Sequence, residues 1–165
     1  MAVRNWMWLV VAAAWAGPGC AVDDSELSQG SCEGDTSDGP DEAAFDWDTW
    51  SEGMSRDGEA GVHRYTLLAA DPAPPDKGDN SWTVAVQDAE GAAVAGGVVL
   101  VEPVMPLHGH GTAPATFTAQ ESADPGTYVV GPFDLFMAGT WEIAVSSTAV
   151  DDTTDRAVFT FCVQG

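Results

Sequence analysis

The chain has very little positive charge. Its 165 residues include 5 Lys and Arg against 26 Asp and Glu, which gives a formal net charge of -21 at pH 7. A field of this sign repels phosphate backbones and anionic lipid surfaces, so nucleic acid is not an expected partner. The same field attracts cations, although weakly and without selectivity.

The sequence also lacks the short motifs that mark common catalytic sites. It has no Gly-x-Ser-x-Gly, no Cys-x-x-Cys, no phosphate-binding glycine loop and no His-Glu-x-x-His. The EF-hand order of calcium ligands is missing as well. Half of the 26 carboxylates lie in a polar segment where no burial can tune their pKa values. We therefore expect a protein that is not an enzyme.

No apolar run is long enough to cross a bilayer comfortably. Residues 1–19 carry Arg4, an apolar stretch from Trp6 to Ala16 and then small residues, which is the order of a secretory signal peptide. That stretch is shorter than the roughly 20 apolar residues of a transmembrane helix. We expect export, and removal of Arg4 with the signal changes the formal charge from -21 to -22.

Two processing routes are open at the signal. Ala14-Trp15-Ala16 suits ordinary signal peptidase, and would release a soluble secreted or periplasmic protein. Gly17-Pro18-Gly19-Cys20 resembles a lipoprotein signal, although it departs from Leu-Ala-Gly-Cys at two positions. We favour the lipoprotein, because a lone Cys before an acidic tether otherwise has no role. Cys20 would then hold the protein in the cell envelope, in contact with membrane through the lipid anchor only.

Cysteine is scarce, with three residues: Cys20, Cys32 and Cys162. If Cys20 is lipidated, an even pair remains in an oxidising compartment, which favours a Cys32–Cys162 disulfide. Such a bond would contribute roughly 2–4 kcal/mol in the chain-entropy description. The alternative is two unpaired thiols.

The composition changes sharply near Val62. Residues 20–61 are dominated by Asp, Glu, Ser and Gly, and we interpret them as a flexible acidic tether. Within it, Phe45, Trp47 and Trp50 form an apolar patch that could dock on the domain. Residues 62–165 contain short apolar runs separated by Gly, Pro, Asp and Asn, and we interpret them as one domain.

The domain shows no sustained helical period. About seven short strands predict an all-β fold, an immunoglobulin-like antiparallel β-sandwich with one face of each sheet buried. Trp82 and Trp141 are expected at its centre. Strand parity places Cys162 on the outer face. The inward set of the last two strands is Trp141, Ile143, Val145, Ala157, Phe159, Phe161 and Val163.

Two stretches resemble a known family. "WTVAVQDAEGAAVAGGVVLVEPVMPLHGHGTAP" and "GTYVVGPFDLFMAGTWEIAV" are similar to the YtkA-like domain of bacterial envelope proteins, which is related to the FixH-like family. The resemblance covers roughly residues 63–147. It implies an immunoglobulin-like sandwich that is often lipid-anchored or attached to metal-efflux components, with copper handling in some relatives.

The loop "VEPVMPLHGHGTAP" is the one place where a binding chemistry is indicated. In extended chain, residues two apart point the same way, so His108 and His110 would present both imidazoles to one side. Met105 precedes them, and a thioether beside imidazoles suits copper. Met137, at the end of a later strand, could join them. We expect copper at this loop and no other cofactor.

Two other interpretations remain open for the same loop. Zinc would need a further ligand, for which Glu102 and Asp134 are the nearest candidates in sequence. Alternatively, Met105 caps the core and the histidines bond to backbone carbonyls, in a structural module that binds another envelope protein. His63, isolated at the start of the domain, is expected on the surface or at a strand edge.

Overall fold

The computed structural model describes residues 46–165 and contains no helix in that range. The signal peptide, Cys20, Cys32 and Phe45 lie outside the described residues. Ten strands follow one another along the chain: β1 (Met54–Asp57), β2 (His63–Asp71), β3 (Gly78–Asp88), β4 (Val98–Met105), β5 (His110–Gly111), β6 (Phe117–Thr118), β7 (Gln120–Glu121), β8 (Thr127–Leu135), β9 (Gly139–Thr148) and β10 (Thr154–Val163).

The strands form two antiparallel sheets. One has the order β1-β2-β3-β8-β7, and the other has the order β10-β9-β4-β5 with β6 also paired to β4. Six strands of eight or more residues, β2, β3, β4, β8, β9 and β10, match strands expected from the sequence pattern, whereas β1 was not expected. The immunoglobulin-like all-β sandwich is therefore confirmed for the described part of the chain.

The core lies between the sheets and follows the period of two. Trp82 and Trp141 are 1% and 0% exposed, so both expected central tryptophans are confirmed. Trp82 meets the rings of Phe133 and Phe161 edge-on, with centroids 5.5 and 5.7 Å away. Edge-to-face packing of this kind adds to the energy of apolar burial. Every residue of the inward set expected for β9 and β10 is buried.

The ordered fold begins earlier than Val62. β1 lies in the segment expected to be tether, and it pairs with β2 through Met54–Leu67 and Asp57–Arg64. Trp50 packs on the core beside Phe161, whereas Trp47 stays exposed. The physical reason is the edge of β2, whose backbone groups need a partner strand.

The free edge of β10 is covered by the same segment. The backbone N–H of Asp48 donates to the carbonyl of Thr160, and the Thr160 N–H donates back to the Asp48 carboxylate at 2.9 Å. Glu59 likewise donates its N–H to the Arg156 carbonyl at 2.8 Å. Residues 46–61 thus protect an edge that could otherwise pair with another chain.

Contacts with neighbouring strands determine where β3 and β4 begin. Gly78–Asn80 belongs to β3 rather than to the preceding loop, because it pairs with Phe133–Leu135 of β8. β4 begins only at Val98. Just before it, a Cβ at Gly97 would lie 2.7 Å from the Thr148 carbonyl oxygen, so only glycine fits at this close approach.

A buried carboxylate fastens the start of β2 to β10. Asp155 is 7% exposed and accepts hydrogen bonds from the backbone N–H groups of Ala60, Val62, His63 and Arg156 at 2.8–2.9 Å. Burial opposes ionisation of this carboxyl, but the four donors together outweigh it and lower its pKa below 3.8. The ionised carboxylate is thus part of the fold.

We expect Asp155→Ala to lower the free energy of unfolding by about 2–4 kcal/mol, since buried N–H groups lose their acceptor. Because the folded pKa is depressed, the unfolded state binds more protons near that pKa. Stabilisation of the fold by the ionised Asp155 carboxylate is therefore complete above pH 3.8, and it is lost as pH falls through the pKa of the folded state. Urea denaturation at pH 7 and at pH 3 measures both effects.

Asp151→Asn is the matched control, because Asp151 accepts a hydrogen bond from Thr153 within an exposed turn. It should change the free energy of unfolding little. Equal losses in the two variants would contradict the role given to Asp155.

Candidate metal centre

A tight hairpin between β4 and β5 carries the residues singled out in the sequence. Met105 ends β4 and is directly opposite His110 at the start of β5. The N–H groups of His108 and Gly109 both donate to the Met105 carbonyl, at 3.1 and 3.0 Å. Gly109 has a φ of +65°, which an L side chain rarely adopts, so glycine permits this turn. Opposite residues of an antiparallel pair point to the same face, which puts the side chains of Met105 and His110 together.

The two imidazoles are neighbours. Their ring centroids are 5.7 Å apart, with 37° between the planes. The sequence argument predicted this closeness from an extended segment, but that reason is wrong. His108 lies in the turn, and only His110 belongs to a strand. Turn closure, rather than strand alternation, brings the rings together.

Aromatic residues on the approach to β9 fix the orientation of His110. The His110 ring stacks on Phe136, with centroids 5.5 Å apart and 21° between planes. Phe136 in turn meets Trp141 edge-on at 5.7 Å. The Trp141 indole N–H donates to the Met137 carbonyl at 2.9 Å, which holds the strand approach in place. The histidine is thus attached to the core through a row of rings.

The two methionines differ in burial. Met105 is 1% exposed and belongs to the hydrophobic core. Met137 is half-buried and packs against that core from the segment between β8 and β9. Both are at the end of the sandwich that carries the hairpin, since Met105 ends β4 next to the start of β9. Met105 is the better placed of the two, because its register sets it across from His110.

One polar atom at the hairpin has no partner. Among the described residues, His110 Nδ1 is buried and makes no hydrogen bond. A buried polar atom without a partner costs about 1–3 kcal/mol, so this nitrogen is available to a ligand. In this respect the hairpin fits a metal ion.

The conventional ligands do not complete a site. Within residues 46–165, no group of three or more His, Cys, Asp or Glu side chains is placed to hold a metal ion. Glu102 and Asp134, the sequence candidates for completing a zinc site, are both exposed and do not form such a group with the histidines. A third ligand from this chain would have to be a thioether.

Charged residues lie beside the hairpin, at Glu102, Asp134 and Glu142, but two segments around it carry none. Residues 103–120 and 135–141 contain no Asp, Glu, Lys or Arg. These two segments meet at the stack of His110 on Phe136. In a chain with 26 acidic residues, the hairpin therefore forms an uncharged surface, with Leu107 and Phe136 exposed by 47% and 42%.

Comparison with protein families gives one match, to the YtkA-like family model over residues 59–146. The match spans β2 to β8 and most of β9, and it includes the whole hairpin. The chain belongs to the YtkA-like family. Comparisons with curated proteins and with solved structures give no significant match.

The described fold continues beyond the family match at both ends. β1 precedes the family match, and β10 follows it. Cys162 lies half-buried on the outward face of β10, as strand parity predicted, and Gln164 Nε2 donates to its sulfur at 2.8 Å. Its expected partner Cys32 lies outside the described residues, so that pairing stays a prediction. No helix within residues 46–165 has the length and apolar character needed to span a membrane.

A second polar cluster lies at the opposite end of this YtkA-like sandwich. His63 is 4% exposed, and its Nδ1 is hydrogen-bonded to Ser147 Oγ at 2.8 Å. Tyr65 bonds to the same oxygen at 2.6 Å, and burial raises the pKa of Tyr65 to about 12. The expectation of a surface histidine is therefore wrong. The signal that could have corrected it is parity, since His63 shares its face with Tyr65 and Leu67.

We expect Phe136→Ala to reduce the free energy of unfolding by about 1 kcal/mol, because it removes the stack on His110 and the edge contact with Trp141. Val129→Ala is the matched control, since Val129 is also a half-exposed apolar residue, at 45%. We expect a change within about 0.5 kcal/mol for the control. Urea denaturation of both variants measures the difference, and a Phe136 effect no larger than the control would contradict this role for the ring.

Proposed function

We propose that this chain is an exported, lipid-anchored YtkA-like module of the cell envelope that binds or buffers copper weakly through the hairpin. Met105, His108 and His110 supply the ligands, and Met137 is a candidate fourth. The observation that carries the proposal is the placement of His110, across from Met105 and 5.7 Å from the ring of His108. On this proposal the protein is a binding module and not an enzyme.

The separation of the rings suits a shared ion. A metal–nitrogen bond of about 2.0–2.1 Å and roughly 1.1 Å from nitrogen to ring centroid put each centroid about 3.2 Å from the ion. Rings at angles between tetrahedral and linear then have centroids about 5.2–6.4 Å apart. The observed separation of 5.7 Å lies within that interval. The unpartnered Nδ1 of His110 is a natural ligand atom.

The chemistry of the third ligand favours copper over zinc. Thioether sulfur is a soft ligand that selects Cu(I), and imidazole accepts either copper oxidation state. Zinc prefers four ligands from Cys, His and carboxylates, which one copy of the described chain does not bring together. Burial of Met105 also keeps its sulfur from water. These properties support Cu(I) as the ion held by a single chain.

A second candidate function is that of an interaction module for another envelope protein. The exposed side chains of Leu107 and Phe136 favour it, since they lie on an uncharged surface of an otherwise acidic protein. Apolar surface of this kind is common at the centre of protein interfaces. The two functions use the same end of the sandwich and are compatible.

Titration of the mature chain with Cu(I), against a competing chelator, tests the copper proposal. We expect His108→Ala/His110→Ala to lose at least tenfold in affinity, since both nitrogen ligands are removed. Met105→Leu should also weaken binding, while the change in stability stays under about 1.5 kcal/mol because the side-chain volume is nearly conserved. Met54→Leu is the control, since Met54 also packs against the core but lies on β1. Equal affinity in the wild type and the double variant would overturn the proposal.

Mass spectrometry tests the lipid anchor on Cys20 and the disulfide between Cys32 and Cys162. We expect the intact mass of membrane-extracted protein to include acyl groups on Cys20 and to lose them in Cys20→Ser. Peptide mapping without reductant should recover Cys32 joined to Cys162. A mature chain cut after Ala16, with both thiols alkylated, would contradict both parts of this prediction.

A further inference from the structure

We infer that the hairpin is half of a zinc site and that a divalent zinc ion joins two copies of this chain. Each copy would contribute His108 and His110, so that four imidazoles surround the ion. The inference rests on the same pair of rings as the proposed function. It adds a second ion and a second copy of the protein.

One copy of the chain has too few ligands at the hairpin for zinc. Zinc takes four ligands in a tetrahedral arrangement, and a thioether is a poor substitute for imidazole, thiolate or carboxylate. The described residues supply two imidazoles and no third conventional ligand. A second copy related by a twofold axis supplies the other two, because each residue at such an axis is repeated. The site is incomplete without that copy.

The two imidazoles can be reached by another molecule. His108 is exposed at the tip of the hairpin, and His110 is half-buried behind it. An ion held by both rings therefore lies at the outer end of the sandwich. Met105 is in the core, so its sulfur is on the inner side of the rings. The outer side is left for ligands that come from another molecule.

Electrostatic repulsion between two copies also favours contact at the hairpin. Two copies of a chain with a net charge of -21 repel each other over most of their surfaces. The repulsion is weakest where charged side chains are missing, and residues 103–120 and 135–141 provide such a surface around the hairpin. A zinc ion brings two positive charges to the contact. Acidic residues elsewhere on the surface of one copy need not lie close to those of the other copy.

Apolar side chains beside the histidines would also be in contact between the two copies. Leu107 and Phe136 flank the histidines and are 47% and 42% exposed in the single chain. In a twofold pairing through the hairpin, each copy would present both side chains next to the shared ion. Burial of that surface adds to the energy of metal binding and excludes water around it.

Sedimentation velocity of the mature Cys20→Ser chain, with zinc added from zero to two equivalents, tests the inference. We expect a zinc-dependent dimer that forms with one bound ion per two chains and returns to monomer with a chelator. His108→Ala/His110→Ala should stay monomeric. Leu107→Lys should weaken zinc-dependent dimerisation at least tenfold, because it places positive charge beside the zinc ion and removes an apolar contact.

Val150→Lys is the matched control for Leu107→Lys. Val150 is 77% exposed and lies in the turn after β9, at the end of the sandwich away from the hairpin. It adds the same charge and should leave the dimer unchanged. Equal changes in dimerisation caused by the two substitutions would show an effect of net charge alone and overturn the inference.

Three results overturn the inference: one zinc per monomer without a change in mass, no zinc binding, or a dimer that persists in the double histidine variant. None of them decides the copper proposal, because Cu(I) titration of the same samples reports on that separately. A chain that binds Cu(I) but does not dimerise with zinc would leave the proposed function standing alone.

Discussion

The pairing at the end of β4 is the constraint on which the candidate site depends. β4 is bonded to β9 on one side and to β5 on the other, so the position of Met105 is fixed from two directions. The register then sets His110 opposite Met105, and the turn returns His108 to within 5.7 Å of His110. A shift by one residue would move Met105 to the outer face and separate the sulfur from His110.

Backbone polar groups explain much of the remaining organisation. Residues 46–61 look like polar tether in composition, yet they occupy the edge of β2 and provide partners for the edge of β10. Asp155 does the same for the chain that leads into β2, where its carboxylate accepts hydrogen bonds from the N–H groups of Ala60, Val62 and His63. Gly58 packs so closely on that carboxylate that any Cβ would overlap it. An acidic segment is thus held by specific hydrogen bonds rather than by apolar burial alone.

Alternation of apolar residues predicted much of this fold, because strands with one buried face leave a direct record in sequence. The inward set of β9 and β10 agrees with the structure for this reason. β1 was missed because its residues, Met54 to Asp57, are mostly exposed and polar. Its existence depends on pairing with β2, which is a long-range property.

The site was predicted in part for the same kind of reason. The sequence indicated the hairpin as a candidate metal site because Met and His close together suit a soft ion. The stack of His110 on Phe136 depends on the approach to β9, 26 positions further along the chain, and local sequence does not record it. The buried hydrogen bonds among His63, Tyr65 and Ser147 were missed because Ser147 comes from a distant strand.

The central claim is that a core methionine and two hairpin histidines converge on copper. X-ray absorption at the copper edge of the Cu(I)-loaded protein tests it most directly, because it identifies the ligand atoms. The account predicts one sulfur and two nitrogen neighbours, with the sulfur lost in Met105→Leu. A copper environment without sulfur, or one unchanged by that substitution, would contradict it.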